Sequence, residues 1–339
     1  MLVFYDHEHS GTDKQMKAFL HLCLFISTLA LVLPVSAAEC TGAAVSTPVT
    51  PQIEFLRAYR HDFSSPVRLA LDGSGSVYIA DPQKGEVLVR APDGRVLQHR
   101  RNLGRPGAIA VDDANNIYLA DLDSGLIRVF DAGWQFSHQF AGAVMQQPGD
   151  ITVDATRSRI YVSDSEAHLV RVYSLAGEPL FEFGTRGDGD GQFQYPSGVF
   201  FDSVNDELLV SDQLGYRLQV FDPDGVFKYC IGGSSANPGG FFQGGRLLAA
   251  PQGLWVDASG RIYVADSFEG QVKVIDRNGL LLTTVGTFGE AGGELRIPSD
   301  VVVDNGGRLF VASANNARVE MFGIDGFSDP ELYIPALLS

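Results

Sequence analysis

The clearest regularity along the chain is a pattern of apolar runs that recurs six times. Each copy starts at a proline, continues as a short aliphatic run closing on Asp, turns, and resumes as a run rich in Tyr, Ile, Leu and Val that closes on a small residue and Asp. The copies start at Pro66, Pro106, Pro148, Pro196, Pro251 and Pro298, about 40 to 55 residues apart, which is room for four short strands and a loop. The second run ends on Asp81, Asp121, Asp164, Asp212 and Asp266 in five copies and on Ser313 in the last.

Each proline stands where a strand needs no ladder donor. Runs such as Ile109-Ala110-Val111 suit strands buried on both faces, and Asp257 to Gly260 supplies a tight turn into the next strand. Tyr78, Tyr118, Tyr161 and Tyr263 are bulky enough to fill the widening gap between sheets that fan outward. Arg128-Val129-Phe130 and Arg171-Val172-Tyr173 read as third strands, and Asp93-Gly94, Asp224-Gly225 and Asn278-Gly279 as hairpin turns into a fourth. The copies predict an all-β fold, a six-bladed β-propeller of four-stranded antiparallel blades over residues 53–327. The last copy has no fourth strand after Asp325-Gly326, whereas a strand-like segment, 53–59, precedes the first. This N-terminal segment is expected to close the last blade and remove an open sheet edge.

The segment Tyr216-Arg217-Leu218-Gln219-Val220-Phe221 resembles the His-Arg-Val-Gln-Val-Phe third strand of NHL repeats. The Gly-rich approaches to proline at 189–196 and 292–298 are similar to that family as well. The resemblance covers about residues 53–327 and implies the six-bladed fold. It implies little about activity, because one scaffold hosts unrelated functions.

Ahead of the repeats, Lys14 and Lys17 precede an apolar run at 18–33, then Pro34 and the small residues Ser36-Ala37-Ala38. This reads as a signal peptide over 1–38, starting at Met1 or Met16, and predicts a secreted or periplasmic protein. The rival reading is an uncleaved anchor, for which the run is short of the ~20 residues of a membrane span, and the mature chain is expected to have no transmembrane domain. A flexible leader (39–52) follows the signal, and a C-terminal tail (328–339) follows the repeats. Glu39 before Cys40 departs from lipoprotein signals, and Cys40 and Cys230 either pair or do not.

The net charge is −16. Removing 1–38 takes three acids and two bases and leaves the excess almost intact. So acidic a chain repels phosphate backbones, which makes nucleic acid a poor partner.

In a propeller the strand after each proline lines the central channel. The second residues after proline are Arg68, Ala108, Asp150, Gly198, Gly253 and Asp300, expected to rim one mouth, with Arg68 and Asp300 as neighbours able to pair. Two residues further on stand Ala70, Ala110, Thr152, Phe200, Trp255 and Val302. One half of the channel is thus polar and the other aromatic, so Arg68, Asp150, Asp300, Phe200 and Trp255 are candidate binding residues. The alternative is that they fill the channel, with Arg68 and Asp300 a structural ion pair. The repeated strand-closing Asp is expected to be architectural, accepting backbone hydrogen bonds in its own turn.

Peptide-amidating lyases share the six-bladed architecture and hold zinc with converging His; here His61, His99, His138 and His168 are dispersed. Calcium-dependent lactonases hold their ion with channel carboxylates and amides, for which Asp150 and Asp300 are a thin ligand set. No catalytic residue, metal ligand or cofactor is assigned. The longest excursion, Gly232 to Ala250, carries Phe241 and Phe242, a candidate partner-contact loop or else a segment tucked onto a neighbouring blade. The expected function is a binding scaffold for a protein, peptide or saccharide partner. The alternative is a propeller-type hydrolase or lyase acting on a small molecule, with calcium or zinc near Asp150 and Asp300.

Overall fold

The structure, a computed structural model, describes residues 49–60, 63–233, 241–242 and 245–327. The expected signal peptide, most of the leader, Cys40 and its pairing with Cys230, His61 and the C-terminal tail lie outside the described residues.

After β1 (Ile53–Tyr59), blade 1 comprises β2 (Arg68–Leu71), β3 (Val77–Asp81), β4 (Glu86–Arg90) and β5 (Val96–Arg100). Blade 2 comprises β6 (Pro106–Val111), β7 (Ile117–Asp121), β8 (Leu126–Phe130) and β9 (Phe136–Ala141). In blade 3 these become β10 (Pro148–Asp154), β11 (Arg159–Asp164), β12 (Leu169–Ser174) and β13 (Pro179–Phe183). Blade 4 holds β14 (Pro196–Asp202), β15 (Glu207–Asp212), β16 (Arg217–Phe221) and β17 (Phe227–Gly232). A two-stranded hairpin, β18 (Phe241–Phe242) with β19 (Gly245–Arg246), precedes blade 5, which is β20 (Pro251–Val256), β21 (Ile262–Asp266), β22 (Gln271–Ile275) and β23 (Leu281–Val285). Blade 6 supplies β24 (Pro298–Val303), β25 (Arg308–Ser313) and β26 (Arg318–Ile324).

Each blade is a four-stranded antiparallel sheet in sequence order, and β1 is hydrogen-bonded to β26 as the fourth strand of the last. Its register runs from Ile53 opposite Ile324 to Tyr59 opposite Val319, with a bulge between Phe55 and Arg57. Tyr59 stacks on Phe310 at 6.0 Å and lies under the Arg90 guanidinium, tying β1 inward and across to blade 1.

Second strands are buried from end to end, as in Val77–Asp81 and Ile262–Asp266, apart from the opening Arg159 of β11 and Arg308 of β25, because each is covered by the sheets on both sides. The core is a set of apolar layers between neighbouring blades. The layer between blades 6 and 1 joins Val302, Phe310 and Met321 to Leu69, Ile79 and Leu88, so the wheel is continuous. Tyr118, Tyr161 and Tyr263 are fully buried in these layers. Their hydroxyls are satisfied within them: Tyr118 and Tyr263 donate to Asp112 and Asp257 at 3.0 and 2.9 Å, and Tyr161 to the Pro223 carbonyl. Burying each ring without its hydrogen bond would cost ~1–3 kcal/mol. No helix of the described residues is long and apolar enough to cross a membrane.

Candidate functional site

The six first strands, β2, β6, β10, β14, β20 and β24, touch one another in a ring and line a common cavity of about 700 Å³. In ring order blade 1 faces blade 4, blade 2 faces blade 5 and blade 3 faces blade 6. First strands run from their prolines towards the Asp-led turns. The cavity wall includes the turn residues Asp72 to Gly75 and Asn305, Gly306 and Arg308, and none of the strand-opening prolines. The hollow is therefore a funnel whose mouth is made by the turns and whose floor lies at the proline end.

Arg68, Asp150 and Asp300, expected at a mouth, form that floor. They are only 5, 7 and 4% exposed. The pairing also differs from expectation. Arg68 makes its ion pair with Asp150, Nε to Oδ1 at 3.6 Å, and not with the neighbouring Asp300. The cause is reach across the axis. Gly198 occupies the opposite position, and the guanidinium extends over the hub to donate to the Ser197 carbonyl of blade 4 at 3.0 Å, the Gly149 carbonyl of blade 3 at 2.9 Å and the Ser299 carbonyl of blade 6 at 2.6 Å. A planar fork of donors suits several carbonyls at once in a way an ammonium does not.

Asp150 and Asp300 are twins across the hub. Asp150 accepts from its own Ile151 N–H and from Val199 N–H of blade 4; Asp300 accepts from Val301 N–H and from Leu69 N–H of blade 1. Each carboxylate thus ties its blade to the next. Burial pushes both carboxyls up, against the pull of Arg68. Burial, reinforced by the charge of Asp150, raises Asp300 to about 7.

Above the floor, Phe200 and Trp255 stand side by side with ring centroids 4.9 Å apart and planes at 56°. Both are half-buried and line the cavity. Facing them across the axis are Ala70 and Ala110, so two large rings look onto two small residues and leave space between. Around the mouth, Asp72, Asp112 and Asp304 fold the turns: Asp72 accepts from Ser74 and Ser76 N–H, Asp112 from Ala114 and Asn116 N–H, Asp304 from Gly306 and Arg308 N–H. Asp113 stands exposed beside them. This acidic mouth was not singled out from sequence, although Asp ends the first run in every copy.

The strand-closing Asp residues have the architectural role expected of them, and they reach further than their own turn. Asp212 accepts from Gln194 and Tyr195 N–H, both at 2.9 Å, and Asp266 from Ala249 and Ala250 N–H, pinning the residues that lead into Pro196 and Pro251. In blade 6 the hydroxyl of Ser313 accepts from Arg296 N–H at 3.0 Å and takes over the task. Of the histidines, His99 bonds Glu86, His138 the Leu175 carbonyl and His168 the Gln194 carbonyl, each on a different blade. The Phe241–Phe242 hairpin belongs to a segment that leaves from β17 and returns to β20, both at the floor end.

No protein-family model matches the chain. Among curated proteins, NHL repeat-containing protein 2 of Gallus gallus is 32% identical over 145 residues, 37% of this chain and 20% of that protein. Protein brain tumor of Drosophila melanogaster is 26% identical over 141 residues, 41% of this chain and 12% of that protein. The chain is an NHL-repeat β-propeller. A third relative of the propeller, Protein SUPPRESSOR OF QUENCHING 1, chloroplastic, of Arabidopsis thaliana, is 29% identical over 180 residues, 45% of this chain and 16% of that protein. The propeller thus matches no more than a fifth of the length of these relatives. Among solved structures it is similar to a structural genomics protein of Bacteroides thetaiotaomicron, TM-score 0.66 and 18% identity over 81% of this chain and 76% of that one. It is also similar to a streptogramin B lyase, TM-score 0.58 and 12% identity over 81% of this chain and 98% of that one. At such identities the likeness is one of fold.

Proposed function

We propose that this protein is an exported binding module that receives part of a protein or peptide partner in its axial funnel. The observation that carries the reading is the contrast between the two ends of the hub. One end is sealed by the Arg68 guanidinium and its carbonyl partners, and the other opens onto a cavity of about 700 Å³ with an aromatic corner, of the size and chemistry that ligand sites favour. The propeller supplies rigid walls, and Phe200 and Trp255, which stand where the other blades have Ala70, Ala110, Thr152 and Val302, supply the specificity. The apolar run at 18–33 supports export; sequencing the N-terminus of the mature protein is expected to find a start near Glu39.

Capture from the native envelope tests the binding reading. The immobilised protein is compared with Trp255→Ala in the funnel and with Phe268→Ala, an 80% exposed residue on the floor-end face. A partner lost with the first variant and kept with the second supports the reading. A partner kept by both, or lost only with the second, overturns it, and a captured glycan in place of a polypeptide makes the partner a saccharide.

A second reading, hydrolysis or elimination on a small molecule, draws on one observation: a buried carboxyl, Asp300, titrating at about 7 in a cavity. The donors do not fit a divalent centre, because Asp150 and Asp300 are committed to backbone N–H groups and Arg68 stands against Asp150. Among the described residues no group of three or more His, Cys, Asp and Glu is placed to hold a metal ion. Metal analysis of the purified protein discriminates: one calcium or zinc per chain, lost on replacing both Asp150 and Asp300 with Ala, favours the enzyme.

A further inference from the structure

The funnel combines two features that select for the same ligand chemistry. Among the described residues its lining contains six acidic side chains and one cationic one: Asp150 and Asp300 at the floor are pushed up by burial, Asp304 is bound to Arg308, and Asp72, Asp112 and Asp113 at the mouth carry the negative charge. Arg68, in the floor, is engaged with Asp150 and with backbone carbonyls. A concave site of one charge sign with apolar walls focuses its field inward and concentrates counter-charge. At mid-depth, Phe200 and Trp255 meet at 56° and present two ring surfaces to the axis, with Ala70 and Ala110 opposite leaving room for a compact group. Aromatic faces carry negative charge density and hold ammonium groups, quaternary ones best, because these shed little hydration on contact. Neutral sugars would also lie on Trp255, but they gain nothing from the carboxylates of the mouth. Anions are repelled by them.

We propose that the funnel binds a small organic cation, an alkylated ammonium group seated in the Phe200–Trp255 corner with the acidic wall as its counter-charge. The proposal rests on the funnel being the binding site and adds the class of group that enters it. The ammonium belongs to a free metabolite or to a modified side chain of a polypeptide; the site recognises the same head in either.

The chain has two tryptophans, Trp134 and Trp255, and only Trp255 lines the funnel, so its fluorescence reports occupancy. Choline is titrated against the full mature protein alongside 3,3-dimethylbutanol, which has the same shape without the charge. Choline is expected to quench Trp255 saturably and to bind at least about tenfold more tightly than the neutral alcohol, with affinity falling as salt is raised. Trp255→Phe removes the optical signal, so its affinity is read by calorimetry and is expected to fall a few-fold. Phe200→Leu and Asp113→Asn do the same for the second ring and for an exposed rim charge, with melting curves confirming that each variant folds. Equal binding of choline and its neutral isostere overturns the proposal, as does the absence of choline binding to the folded wild type. If choline fails while Trp255→Ala still releases a captured partner, the cation is wrong and the funnel is right; if Trp255→Ala keeps the partner, the functional reading itself fails.

Discussion

Gly253 and Asp300 are in direct contact at the hub: a Cβ placed on Gly253 would stand 1.8 Å from Asp300 Oδ1 and 2.9 Å from its Cα. Blade 5 thus carries no side chain at the position where blade 6 carries its carboxylate. Gly253→Ala is expected to displace Asp300 from Leu69 N–H and to cost about 1–3 kcal/mol, seen as a lower urea midpoint with an unchanged slope. A midpoint equal to that of the wild type would mean that the hub is looser than these distances require.

Arg68→Met removes the cation while keeping most of the volume. It leaves the Ser197, Gly149 and Ser299 carbonyls without their donor and Asp150 without its counter-ion. Losing one partner of a buried pair costs about 3–5 kcal/mol, and chemical denaturation is expected to show a loss of that order. Arg68→Lys is expected to recover less than half, since one ammonium cannot serve three carbonyls on three blades.

Asp300 makes stability depend on pH in an unusual direction. Its carboxyl is raised to about 7 in the folded protein, by burial first and by the charge of Asp150 second. Unfolded, it titrates near ~4, so between these values the folded state binds more protons, and stability is lost as pH rises through this window. Asp121 and Asp257, held low by hydrogen bonds and by Arg128 and Arg261, act oppositely and lose their contribution only as pH falls below the usual carboxylate range. Subtracting the stability profile of Asp300→Asn from that of the wild type isolates the effect. The difference is expected to decline from pH 4 to 7 and to be flat above; a flat difference throughout would show that Asp300 is ionised across the range.

The blades and their role assignments were legible because the same physical problem is solved six times. A proline and an Asp-led turn recur in every copy, and a Tyr in four of the six second strands, because each blade must enter without a ladder donor, turn tightly and fill the gap to its neighbour. The strand-closing Asp was readable as structural for the same reason. The floor was not legible. Arg68, Asp150 and Asp300 each occur at positions that differ from blade to blade, and the arginine pairs across the hub because a glycine happens to lie opposite. Which end of the channel is open depends on that same reach, and repeat alignment places residues in layers without saying which layer is sealed.

Asp212→Ala tests the clamp on blade entry. It deprives Gln194 and Tyr195 N–H of their acceptor and leaves Arg217 Nε without the carboxylate it meets at 3.2 Å. A loss of about 2–4 kcal/mol is expected, with hydrogen exchange accelerated first at residues 194 and 195. Asp212→Asn, which keeps one acceptor, is expected to lose less.

Deleting residues 53–60 removes the strand paired with β26 and exposes that edge together with the Phe310 surface under Tyr59. A fall in melting temperature of several degrees and concentration-dependent association are expected, the latter because an unpaired edge templates another chain. Unchanged melting would refute the role of β1 in completing blade 6.

A wheel with six identical spokes would accept a guest in six equivalent poses. Here the opposite sectors of the hub differ at mid-depth: ring against methyl on two diameters, Thr152 against Val302 on the third. A guest is left with one orientation, so whatever it trails out of the mouth leaves in a fixed direction and meets the same turns each time. The repeat provides stiffness, and the departures from repetition provide the compass.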